Sequence, residues 1–100
     1  MSESDIPRLP AKERLILELL AGAEPKFGLQ LVQESDGRLK RGTVYVTLNR
    51  LEDKGYVTSH QETPVPGAIG LPRRLYSTTG FGSRVLWAWT TLAQQLATEV

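Results

Sequence analysis

A chain of 100 residues, 40% hydrophobic and 23% charged with a net charge of +1, is sized for one small domain around one modest core. The absence of cysteine excludes a disulfide frame and thiolate chemistry. No apolar run approaches the ~18 residues of a membrane helix, and "MSESDIPRLP" lacks the basic-then-apolar layout of a secretory leader, so a cytoplasmic protein without a membrane partner is expected.

Residues 1–8 read as a polar tail. Near Pro10 a first helix is predicted to begin, with Leu15, Ile16, Leu19 and Leu20 forming one apolar stripe. Gly22 and Pro25 in "GAEP" end it. A second, shorter helix fits Phe27–Ser35, where Phe27, Leu31 and Val32 share a face; "SDGRLKRG" is a polar turn. A third helix spans about 42–54, and its Val44, Leu48 and Leu51 have the spacing of a core face. Val46, Asn49 and Asp53 point nearly opposite, with Thr43, Tyr45 and Arg50 on the flanks.

Gly55 supplies a natural helix stop, after which Tyr56, Val57 and Thr58 suit a strand. "PVPGAIGLP" is a loop, and "RRLYST" reads as the returning strand of a hairpin with a long tip. Thr79 is placed to cap a last helix, in which Val85, Trp89, Leu92 and Leu96 recur on one stripe. The expectation is a mainly α chain with a small β-hairpin: a winged helix-turn-helix over residues 9–78, then a C-terminal helix over 79–100. That helix carries enough apolar surface to pack against a partner chain as well as its own domain.

Charge is unevenly placed. Between Gly37 and Leu51 lie Arg38, Lys40, Arg41 and Arg50 with no acid among them, and from Thr63 to Thr98 the charged residues are Arg73, Arg74 and Arg84. Acids gather in the first third. Such asymmetry suggests a side that faces a polyanion, although small domains also segregate charge by chance.

Four stretches in order resemble the PadR-like family of bacterial transcriptional regulators: "LILELLAG", "FGLQLVQE", "GTVYVTLNRLEDKGYV" and "GLPRRLYSTTGFG". The third is similar to the family's recognition segment. The fourth is similar to its wing strand followed by Thr-x-x-Gly. The resemblance covers about Leu15 to Gly82 and implies a dimeric DNA-binding repressor whose C-terminal helix makes the dimer. It also implies a response to small phenolic or drug-like molecules, and the single helix after the wing looks like the family's shorter members.

If the third helix enters a major groove, Val46 meets thymine methyls, Asn49 offers bidentate geometry to adenine, and Arg50 reads guanine or pairs with phosphate. Thr43 and Tyr45 are placed for phosphates near the helix N-terminus. The bland alternative makes Tyr45 a half-buried packing residue and Asn49 a solvated one. Arg38, Lys40 and Arg41 are candidate phosphate contacts, or simply a solvated turn. Arg73 and Arg74 flank the wing, and strand alternation predicts that only one of them binds phosphate directly.

Val85, Trp89, Leu92 and Leu96 are the expected dimer residues, and Trp87 with Trp89 the candidate effector contacts. Trp89 as a dimer anchor is the preferred reading over a slot for an aromatic ligand. His60 is the lone histidine and reads as a surface strand residue. No catalytic set, metal-ligand cluster or cofactor motif is present in the sequence, which disfavours a small enzyme. A winged-helix module that binds protein, its basic residues merely solvated, is the main competitor of a DNA-binding regulator.

Overall fold

In the computed structural model, which describes residues 7–63, 66, 67, 70 and 72–98, the chain runs through four helices and three strands. They are α1 (Ala11–Leu20), β1 (Lys26–Phe27), α2 (Gly28–Glu34), α3 (Val44–Asp53), β2 (Val57–Gln61), β3 (Arg74–Thr78) and α4 (Gly80–Thr98).

The first helix is buried on more sides than its apolar stripe predicts. Leu15, Ile16 and Leu20 are buried as expected, but so are Leu17 and Glu13, while Leu19 is only partly covered. The reason is tertiary: α1 touches α2, α3, α4 and β3, so no single face describes it. The buried Glu13 side chain meets the Lys54 ammonium at 2.7 Å, a contact that links the first turn of α1 to the end of α3.

The turn after α2 is tied by Ser35, fully buried, whose hydroxyl donates to the Val32 carbonyl (2.8 Å) and accepts from the Leu39 amide (2.9 Å). Asp36 (φ 56°) and Gly37 (φ 87°) take the left-handed conformation that reverses the chain there. Gly42 and Thr43, expected as the start of α3, form a turn instead. Thr43 occupies the capping position but does not cap: its hydroxyl points back to the Lys40 carbonyl. Val44, Leu48 and Leu51 are fully buried, which seats α3 on the core. At its far end Gly55 (φ 81°) donates to Glu52 and Tyr56 donates to Leu51, a Schellman stop.

The hairpin of β2 and β3 forms as expected, with Val57 opposite Thr78 and Gln61 opposite Arg74. The sheet gains a third strand that the sequence reading missed. Lys26 and Phe27 pair with Tyr76 and Leu75, giving the order β1-β3-β2 and making Phe27 a strand residue rather than the start of a helix. The proline-rich tip lies largely outside the described residues, as does most of the predicted polar tail.

Thr79 does cap α4. Its hydroxyl accepts from the Gly82 amide (3.0 Å) and donates to the Gly55 carbonyl (2.6 Å), fastening the helix to the turn that ends α3. Val85 and Leu86 enter the core, and the remainder of α4 extends an elongated molecule of 58 × 26 × 21 Å.

Candidate nucleic-acid interface

The core face of α3 fixes what the opposite face presents. Val46 is 51% exposed, and Asn49, Arg50 and Asp53 are exposed beside it. Among the described residues, neither the Asn49 amide nor the Arg50 guanidinium has a side-chain partner. A polar edge held rigid by its buried side and left unsatisfied on its outer side is equipped to meet an external donor–acceptor pattern.

The cations divide in the same way. Ion pairs among the described residues engage Arg14, Lys26, Lys54 and Arg73. Lys40, Arg41 and Arg50 have none, and Arg38 only donates its Nε–H to the Ser35 carbonyl at 3.2 Å. Arg8, Lys12, Arg74 and Arg84 also lack an ion pair among the described residues, but Arg38, Lys40, Arg41 and Arg50 form the group that lies together on the turn before α3 and on α3 itself. The buried Ser35 knot fixes that turn, so the charges sit on an ordered scaffold.

Between α2, α3 and the hairpin lies a cleft of about 740 Å³, bordered by Phe27, Gln30, Gln33, Tyr45, Arg73 and Arg74. Tyr45 is 42% exposed, and its ring lies against Gly28, where a Cβ would come within 2.6 Å of the ring. The close approach needs a glycine, and it holds the phenol over the cleft. Tyr45 is thus both a packing residue and a group presented outward. The Tyr76 phenol, buried behind the hairpin, is pushed above its ordinary pKa by desolvation and stays neutral at physiological pH.

Both wing arginines border this cleft, whereas strand alternation predicts opposite faces. The reason is that β3 begins at Arg74, so Arg73 precedes the alternating segment. Arg73 lies 3.9 Å over the Phe27 ring and pairs with Glu62 at 3.2 Å. Arg74 instead donates to the Ser59 hydroxyl at 3.0 Å. Phe27, Gln30, Gln33, Ser59 and Glu62 were missed by sequence reasoning. Their membership depends on β1 pairing and wing register, which leave no local pattern.

On α4 the expected partner-facing stripe splits. Val85, 3% exposed, is spent on the chain's own core, which leaves it little surface for a partner. Trp89 is partly buried and donates its indole N–H to the Pro7 carbonyl at 2.7 Å. Leu92 is half-buried, Leu96 is 58% exposed, and Trp87 is 70% exposed on another side of the helix. No helix among the described residues is long and apolar enough to cross a membrane.

A helix-turn-helix with an open outer face, flanked by a hairpin whose arginines border the adjoining cleft, defines a winged helix-turn-helix protein. Comparison with known proteins carries this further. The profile of the transcriptional regulator PadR-like family matches residues 16–88. The chain belongs to the PadR-like family of transcriptional regulators, which are not enzymes.

Among solved structures, it is similar to a PadR family transcriptional regulator from Eggerthella lenta DSM 2243, at 32% identity and TM-score 0.65, covering 86% of this chain and 70% of that one. A PadR family regulator from Clostridium difficile R20291 shares the fold at 24% identity and TM-score 0.71, covering 85% and 88%. Bacillus subtilis PadR, solved in complex with operator DNA, shares the fold at 23% identity and TM-score 0.69, covering 81% of this chain and 47% of that one. A search of curated proteins gave no match.

Proposed function

We propose that this regulator binds double-stranded DNA as a homodimeric repressor, placing α3 in the major groove of each half of a pseudo-palindromic operator. The observation that carries the reading is the unpaired outer edge of α3, with Val46, Asn49 and Arg50 exposed beside the uncompensated Arg38, Lys40 and Arg41. Bacillus subtilis PadR, which shares the fold, is bound to operator DNA in its structure, and this supports the DNA-binding part of the reading. Residues 9–78 form the DNA-binding unit in this reading. The helix after residue 79 makes the dimer through Trp89, Leu92 and Leu96, its apolar stripe continuing past the domain body. Thr43 and Tyr45 position the helix on phosphates, and the wing adds a contact from the arginines at the cleft.

Solution scattering at working concentration is expected to return the mass of a dimer, the assembly that sets two recognition helices about 34–36 Å apart. Four phosphate contacts per protomer, from Arg38, Lys40, Arg41 and one wing arginine, give about eight per dimer and a slope of log affinity against log salt near about −7. Affinity for the upstream DNA of its own gene then falls by about 10⁴ between roughly 50 and 200 mM salt. A monomer, or a salt-insensitive affinity, would defeat the reading and leave a protein-binding winged helix in its place.

A small aromatic effector relieves repression in this reading, and the exposed Trp87 is its contact. Trp89 is the weaker candidate, because its indole N–H is already engaged by Pro7. Planar aromatic compounds are expected to quench Trp87 emission at micromolar levels and to lower DNA affinity. A Trp87→Phe variant that quenches like the native chain would remove Trp87 from the site.

A further inference from the structure

The two wing arginines are treated differently by their neighbours. Arg73 is discharged directly, its Nε–H donating to the Glu62 carboxylate at 3.2 Å. Arg74 reaches an acid only through a hydroxyl: its Nη1 donates to Ser59 Oγ at 3.0 Å, and Ser59 Oγ donates to Glu52 Oε2 at 2.7 Å. Glu52 belongs to α3, Ser59 to β2 and Arg74 to β3. Ser59 pairs with Tyr76, two residues beyond Arg74 on the same face of the hairpin, which brings the three groups into line.

A serine hydroxyl has one proton to give and lone pairs to receive. Giving the proton to Glu52 turns its lone pairs toward the guanidinium, so the direction of both bonds is set and each link is assisted by a charge. A direct bidentate pair between Arg74 and Glu52 would consume two of the five guanidinium donors and cancel the charge at contact. The interposed hydroxyl uses one donor and leaves the rest unspent on a residue that borders the same cleft as Tyr45.

We propose that Ser59, held by Glu52, is a positioning residue that aims Arg74 at a DNA phosphate and locks the wing to the recognition helix, making Arg74 rather than Arg73 the wing's DNA contact. The inference rests on the DNA-binding reading above. Because Glu52 and Arg74 are exposed, the relay adds little to folding, and its effect belongs in DNA affinity.

The test is a double-mutant cycle on the full chain, measured as affinity for its upstream DNA across a salt series, with thermal melting alongside. Arg74→Ala is expected to lower the magnitude of the salt slope by about two for a dimer, whereas Arg73→Ala leaves it nearly unchanged. Ser59→Ala should weaken binding about tenfold in the native background and hardly at all in the Arg74→Ala background, as coupled groups do. Ser59→Thr keeps the hydroxyl on a strand that tolerates β-branching and should retain affinity. Melting of the Ser59 and Arg74 variants, the double variant included, stays near that of the native chain. Equal losses from Ser59→Ala in both backgrounds, or a larger slope change from Arg73→Ala, would overturn the relay while leaving DNA binding intact. A native chain with no salt-sensitive DNA affinity would overturn both.

Discussion

Gly82→Ala is expected to destabilise the protein by at least about 3 kcal/mol and lower its melting midpoint by roughly 15 °C, although alanine is the better helix former. A Cβ at Gly82 would lie 2.1 Å from the Tyr56 carbonyl oxygen, 2.8 Å from its carbon and 3.0 Å from its Cα, all backbone atoms. Backbone cannot rotate aside as a side chain does, so α4 must lift away from the residue preceding β2. That displacement would break the hydrogen bond from the Thr79 N–H to the Tyr56 carbonyl and the hydrogen bonds of the Thr79 hydroxyl with Gly55 and Gly82. It would also part the Tyr56 and Phe81 rings, edge to face at 5.2 Å. Gains of about 1 kcal/mol in helix propensity do not offset those losses.

Gly80→Ala is the internal control. There the added Cβ meets only the Arg84 guanidinium at 3.6 Å, ordinary contact, so stability is unchanged or slightly raised. Thermal melting of the two variants decides the matter. Equal midpoints would mean that α4 does not pack on Tyr56 as described.

This pair of glycines shows where the sequence was legible and where it was not. Thr79 and Gly82 were readable as a Thr-x-x-Gly signature and Thr79 as a cap, because capping follows local spacing. That Gly82 is needed for a backbone-to-backbone approach depends on where Tyr56 arrives, which no local pattern encodes. The inner and outer faces of α3 were readable because its burial is one-sided, and a 3.6-residue period then separates Val44, Leu48 and Leu51 from Val46 and Asn49.

The same logic failed on α1, where several neighbours bury Glu13 and Leu17 off the apolar stripe. It failed on Lys26 and Phe27 because two residues carry no period at all. At the cleft, the sequence supplied Tyr45, Arg73 and Arg74. It withheld Phe27 and Ser59, which reach the arginines only through β1 and the hairpin register. On α4 a single stripe was expected to face a partner, yet the domain takes Val85 for its own core before the stripe emerges at Leu96.

Lys54→Met is expected to cost about 2 kcal/mol, a loss out of proportion to one partly exposed lysine. The Glu13 side chain is 5% exposed and the Lys54 side chain 39%, so removal of the ammonium strands a carboxylate that water barely reaches. Breaking a fully buried pair costs about 3–5 kcal/mol; the exposure of Lys54 gives water a path toward Glu13 and lowers the figure here. The position of Glu13 in the first turn of α1 offers some compensation from the helix dipole.

Glu13→Leu with Lys54→Met replaces both charges by apolar groups and should recover most of the loss, because the penalty comes from the stranded charge. Denaturant unfolding at unchanged m-value measures each corner of the cycle. Additive single changes with no recovery in the double variant would mean that the two groups act independently. The recovered variant also separates stability from orientation, since the pair joins the first turn of α1 to the residue that closes α3. If that variant melts like the native chain yet binds DNA more weakly, the ion pair serves to hold α3 in register, because the repacked core alone would then have restored everything except the angle of the reading edge.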